Sequence, residues 1–81
     1  MKLEQVVASN STVSLRDLAT DHVLAGDIQR RLITLGCLDP PVDGDFGPVS
    51  TLVLREFAKI VGNPLNEAID ARLAQGLLGN S

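Results

Sequence analysis

The stretch Pro40–Thr51, "PPVDGDFGPVST", decides how this sequence is read. It gathers three prolines, two glycines and two aspartates around one phenylalanine, while the segments on either side are aliphatic and helix-like. Pro40 and Pro41 stiffen the crossing out of the preceding segment and lower the entropy of the unfolded loop. Val42-Asp43-Gly44 reads as a tight turn, with Asp43 accepting hydrogen bonds from nearby amides and Gly44 free to take a positive φ. Phe46 is the loop's one aromatic and is expected to drop between helices and pin the turn to the core. Gly47 and Pro48 suit the N-cap and first position of the next helix, where a missing N–H costs nothing. Ser50, in the first turn, can join the capping bonds. The side chains this arrangement leaves facing outward are chiefly Asp39 and Asp45.

Working outward, "GDIQRRLITLG" before the loop predicts a helix. Asp27 favours its positive N-terminal end. Ile28, Leu32 and Leu35 share one face at helical spacing, and Gln29, Arg30, Arg31 and Thr34 cover the rest. Gly36 stands where a left-handed C-terminal cap is expected. After the loop, Val49, Leu52, Val53, Phe57 and Ile60 predict the inward stripe of a second helix running to about Val61. Gly62 and Pro64 stop it. Asn66 can cap a third helix over roughly 67–75, with Ile69, Leu73 and Leu77 inward and Gly76 as its end. No segment alternates convincingly enough to read as a strand. Upstream, "SLRD" at 14–17 fits a capping box and predicts a short helix at about 14–20. Residues 1–13 are polar, small and β-branched without a period, and read as a tail.

The composition narrows what such a fold can do. At 81 residues there is room for one small domain, and with no Trp or Tyr and only Phe46 and Phe57 as aromatics its core must be aliphatic. The net charge of −3 and the scattered basic residues exclude a nucleic-acid footprint, and no aromatics interleave for stacking. Cys37 is the single cysteine, so no internal disulfide forms. With only His22 beside it as a soft ligand, a zinc site cannot be assembled. Cys37 is expected to pack as a small hydrophobe. Asp39, Asp43 and Asp45 lack the late bidentate Glu of a calcium loop, and Pro40 and Pro41 break its register. No cofactor or metal is therefore expected. Glu4 and Gln5 interrupt any signal-peptide core, and no apolar run reaches membrane-spanning length. Either the chain acts where it is made or it is a segment of a longer exported protein. An enzyme is not expected, because His22 has no nucleophile near it in sequence and so small a domain offers little cleft.

The order of the pieces adds a resemblance. "IQRRLITLG", "PPVDGDFGPVS" and "VLREF" together resemble the peptidoglycan-binding domain family, the small helical modules appended to cell-wall hydrolases. The likeness covers about Asp27 to Leu78, leaving 1–26 as a tail or linker. Cys37 stands where the family often has an aromatic, Ser50 where it has Thr, Val53 where Ala is common, and Ala58 where it has Gln. The second glycine-bearing turn is reduced to "NPLNEAID". The resemblance implies an all-α fold: a compact three-helix bundle with a structured Pro/Gly turn between its first two helices, plus a short extra N-terminal helix. Gly36, Asp43, Gly44, Phe46, Gly47, Pro48, Ser50 and Phe57 would be its structural motif. It implies a non-catalytic module that binds peptidoglycan, tethers an attached catalytic domain and works in the bacterial cell envelope. Arg30, Arg31 and Arg55 are the candidates for stem-peptide carboxylates, since Arg suits bidentate capture. Asp39 and Asp45 are the outward polar groups of the loop. The alternative is a structural or protein-interaction domain that keeps the fold without the glycan.

Overall fold

A computed structural model describes residues 1–39, 42, 44–62 and 68–79, and those residues are mostly helical. In chain order they form α1 (Leu3–Ser9), β1 (Val13–Ser14), α2 (Leu15–Thr20), α3 (His22–Thr34), α4 (Pro48–Ile60), β2 (Ala68–Ile69) and α5 (Ala71–Leu78). The two short strands pair antiparallel, Val13 with Ile69 and Ser14 with Ala68. This ribbon, absent from the sequence reading, ties the approach to α2 to the approach to α5.

The helix ends follow from local chemistry. Ser14 caps α2, accepting from the Asp17 amide at 3.1 Å, as the "SLRD" signature predicts. Asp21 caps α3 through the Leu24 amide at 3.1 Å. Helix α3 therefore begins five residues before Asp27, which lies in its second turn. Asp27 does not serve its own helix end. Its Oδ2 accepts from the Leu3 amide at 2.9 Å and so anchors the start of α1. At the other end of α3, Gly36 has φ +79°, its amide donates to the Ile33 carbonyl, and the Cys37 amide donates to the Leu32 carbonyl at 2.8 Å. This is the paired bonding of a Schellman ending. Gly47 and Pro48 take the N-cap and first helical positions of α4 as expected. Asp70 caps α5 through the Leu73 amide at 2.8 Å. Asn66, the cap expected from sequence, lies outside the described residues, as do Pro40, Pro41, Asp43 and Pro64. Gly76 sits inside α5 rather than ending it, beneath the Phe57 ring, and Gly79 at φ +75° closes the helix.

One buried cluster holds the elements together: Leu3 and Val6 of α1, Leu18 of α2, Leu24, Ala25, Ile28 and Leu32 of α3, Phe46 of the loop, Leu54, Phe57 and Ala58 of α4, Ile69 of β2, and Leu73, Ala74 and Leu77 of α5. Residues 1–13 are thus not a loose tail. They carry a helix whose Leu3 and Val6 belong to the same core as residues beyond Asp27.

Three burial expectations are corrected. Leu35, at the C-cap of α3, is exposed, and Gln29 takes its place on the inner face. Cys37 is exposed after the Schellman turn rather than packed. Most consequential, α4 turns a different face inward. Ser50, Leu54, Phe57 and Ala58 are buried, while Val49, Leu52 and Ile60 are 68%, 59% and 79% exposed and Val53 is half-buried. The helix carries two apolar faces, and periodicity cannot choose between them. The choice comes from its first turn, where Ser50 is drawn inward to a partner on α3.

Candidate functional site

That partner is Gln29. Its side chain is 3% exposed and forms hydrogen bonds across the loop. Oε1 accepts from the Gly44 amide at 3.0 Å, and Nε2 donates to the Asp45 carbonyl at 3.0 Å and to Ser50 Oγ at 3.2 Å. A primary amide offers both donors and an acceptor, so one side chain can satisfy backbone groups of both kinds. Gly44 sits at φ +73°, as the turn reading predicts. A Cβ there would meet strain from the backbone and stand 3.2 Å from the His22 carbonyl oxygen. Phe46 then enters the core at 8% exposure, the plug the sequence suggests. Thr51 Oγ1 returns a bond to the Gly47 carbonyl at 3.0 Å, closing the first turn of α4. Sequence reading placed Gln29 on the outer face. The signal that could have found it is its position, one residue after Ile28 and three before Leu32, inside a wide inward face.

Three shallow grooves lie on the surface, two of them bordered by the seated loop. One, of about 450 Å³, runs along Phe46, Gly47, Pro48, Thr51, Leu52 and Arg55. A second, of about 480 Å³, is lined by Ser14, Leu15, Arg16 and Arg55. Arg55 stands on the border of both. The third, of about 360 Å³, lies on the opposite flank between the start of α1, α3 and the loop, and includes Arg30.

The sequence-expected binding residues are therefore not brought into one place. Arg30 and Arg55 line different grooves. Arg31 is half-buried on α3, and Asp39 and Asp45 are exposed; none of the three lines these grooves. The loop uses the main chain of Asp45, whose carbonyl is one of Gln29's partners. Arg16, not singled out from sequence, joins Arg55 because β1 and α2 are folded against the rest of the chain. Among the described residues, no group of three or more His, Cys, Asp or Glu side chains could hold a metal ion. No helix among them is long and apolar enough to cross a membrane. The outer face of α4 adds an apolar surface next to Arg55, made of Val49, Leu52, Ile60 and the following Val61.

No protein-family model, curated protein or solved structure matches this chain.

Proposed function

We propose that the chain is a non-catalytic peptidoglycan-binding module, with α3, α4 and α5 as the three-helix plan of that family and α1 and α2 as additions to it. The observation that carries this reading is the seating of the described loop residues, Gly44 to Pro48. Gln29 of "IQRRL" holds the loop from beneath, Gly44 takes its positive φ, and Phe46 is buried. Gln29 and the described loop residues Gly44, Asp45 and Ser50, all within the resembling segments, thus act together as one structural unit. Arg55, at the junction of two grooves beside that unit, is the group best placed to meet a stem-peptide carboxylate. The module would tether an attached hydrolase in the cell envelope and raise its local substrate concentration.

Co-sedimentation with purified insoluble peptidoglycan tests this. The folded domain should bind saturably, with a Kd on the order of micromolar to millimolar, and soluble muropeptides should compete. Arg55→Glu should weaken binding while leaving the helical circular dichroism intact. If the folded wild type stays in the supernatant with walls of several types, the reading fails.

A second reading, a protein-interaction domain, is favoured by one observation: the aliphatic outer face of α4. It predicts that Val49→Ser and Ile60→Ser impair the function of the parent protein while wall binding is absent.

A further inference from the structure

We propose that α1 is an exchangeable strap, and that two copies of this chain associate by each seating its α1 on the α3–α5 face of the other. The seat is visible because the chain's own α1 fills it. Leu3 and Val6 are fully buried there, Val7 packs at the edge of the core, and Glu4, Gln5, Ala8 and Ser9 face water. The helix packs chiefly on α5, whose Leu73, Ala74 and Leu77 are buried in the same cluster, with further contact to α3. Its start is fixed by the Leu3 amide, which donates to Asp27 Oδ2 at 2.9 Å. None of these partners is a near neighbour in sequence. The same contacts therefore form whether the strap belongs to this copy or to another.

What returns α1 to its own copy is the short hinge Asn10–Thr12, between α1 and β1. Asn10 makes the turn at φ 51°, the one left-handed residue other than glycine among those described. The Asn10 amide closes on the Val7 carbonyl at 3.2 Å, and the Ser11 amide on the Val6 carbonyl at 3.1 Å. Asn tolerates the left-handed region better than most residues, yet that region still disfavours an L side chain relative to extended backbone. Extending the hinge relieves that conformation and hands two exposed amides to water. Val13 and Ser14 stay paired to β2 meanwhile, so the body keeps its ribbon. The released helix has seven residues and does not persist alone. The vacated apolar seat of a second copy restores every contact it gave up. Exchange of an identical element makes a dimer at low cost for that reason, and short hinges in a strained conformation favour it. A swapped pair would carry two sets of Arg55 grooves, and bivalency raises avidity without a new contact. That consequence rests on the wall-binding reading; the exchange does not.

The test uses the full chain, with light scattering after size exclusion over a range of concentrations. Asn10→Gly keeps the left-handed turn without penalty and should stay monomeric. Asn10→Val should dimerise at least about tenfold more tightly than wild type, because a β-branched residue resists the left-handed region. Deleting Ser11 and Thr12 puts the closed form out of reach and should give a dimer outright. Isotope-filtered NMR on dimers assembled from ¹³C-labelled and unlabelled chains separates exchange from side-by-side association. Exchange predicts nuclear Overhauser contacts between the α1 methyls of one chain and the α5 methyls of the other. A folded monomer in either hinge variant would overturn the proposal, as would equal association of Asn10→Gly and Asn10→Val. So would α1–α5 contacts that stay within one chain. Loss of helical circular dichroism in both hinge variants would overturn it too, since the seat would then accept α1 only from its own chain.

Discussion

Gln29 shows how much of a loop can hang on one amide. Its bonds reach Gly44, Asp45 and Ser50, fifteen to twenty-one residues away in sequence. Without it the half-buried Gly44 amide and the buried Ser50 hydroxyl would lose a partner, while the Asp45 carbonyl keeps its bond from the Gly47 amide at 3.0 Å. Leaving one buried polar group unsatisfied costs about 1–3 kcal/mol. Gln29→Ala should therefore destabilise by about 2–4 kcal/mol, counting more than one such group, and urea unfolding measures it. Gln29→Glu should not rescue, because a carboxylate keeps the acceptor for Gly44 but removes the donor to Asp45 and Ser50. A loss under about 0.5 kcal/mol, the scale of an ordinary surface change, would mean that the loop is held by something else. The roles of Gly44, Gly47 and Pro48 were legible from sequence because each rests on its own φ or its own helix end, and that of Phe46 because it is the loop's one aromatic. The role of Gln29 was not, because an amide declares nothing until its partners arrive.

At the scale of the element, α4 is the instructive case. Val49, Leu52, Val53, Phe57 and Ile60 make a plausible inward stripe, and so do Ser50, Leu54, Phe57 and Ala58, with only Phe57 common to both. The hydrophobic effect has no direction and favours whichever face meets the core. The bond from Gln29 to Ser50 and the packing of Phe46 orient the first turn, and the rest of the helix follows that rotation. Leu54→Ala should then cost about 2–5 kcal/mol, as a fully buried leucine does. Ile60→Ser, at a position 79% exposed, should stay within about 0.5 kcal/mol of wild type. Thermal or urea unfolding of the pair checks this, and the reverse ranking would restore the stripe expected from sequence. Helix α1 makes the complementary point. Its seven residues are too short to persist alone. They are helical because Leu3 and Val6 are buried, chiefly through contact with α5, and because Asp27 caps the first amide.

For the whole molecule, the joint at Asp21 links stability to pH. Its carboxylate accepts from the Leu24 amide, and that bond, more than the nearby Met1 amino group at 3.4 Å, holds its pKa below the ordinary 3.8. Because the folded value is the lower one, the stabilisation is full above the unfolded pKa and is lost as pH falls through the folded pKa. Asp21→Ala should thus cost about 1 kcal/mol at neutral pH, the usual worth of an N-cap. The gap to wild type should close on acidification well below 3.8, as urea midpoints at the two pH values would show. A gap independent of pH would mean that the carboxylate charge contributes nothing at that helix start. The sequence by itself determined the features that each residue settles with its near neighbours. These are the cap at Ser14, the ending at Gly36, the positive φ at Gly44 and the start of α4 at Pro48, together with the mostly helical character of the fold. Only the tertiary structure decided which face of α4 is buried, that residues 1–13 are packed, that Asp27 serves α1, and that Lys2 stands with Arg30 while Arg16 stands with Arg55. Those outcomes depend on groups distant in sequence, and apolar burial and charge proximity acquire a direction only after the chain has closed on itself.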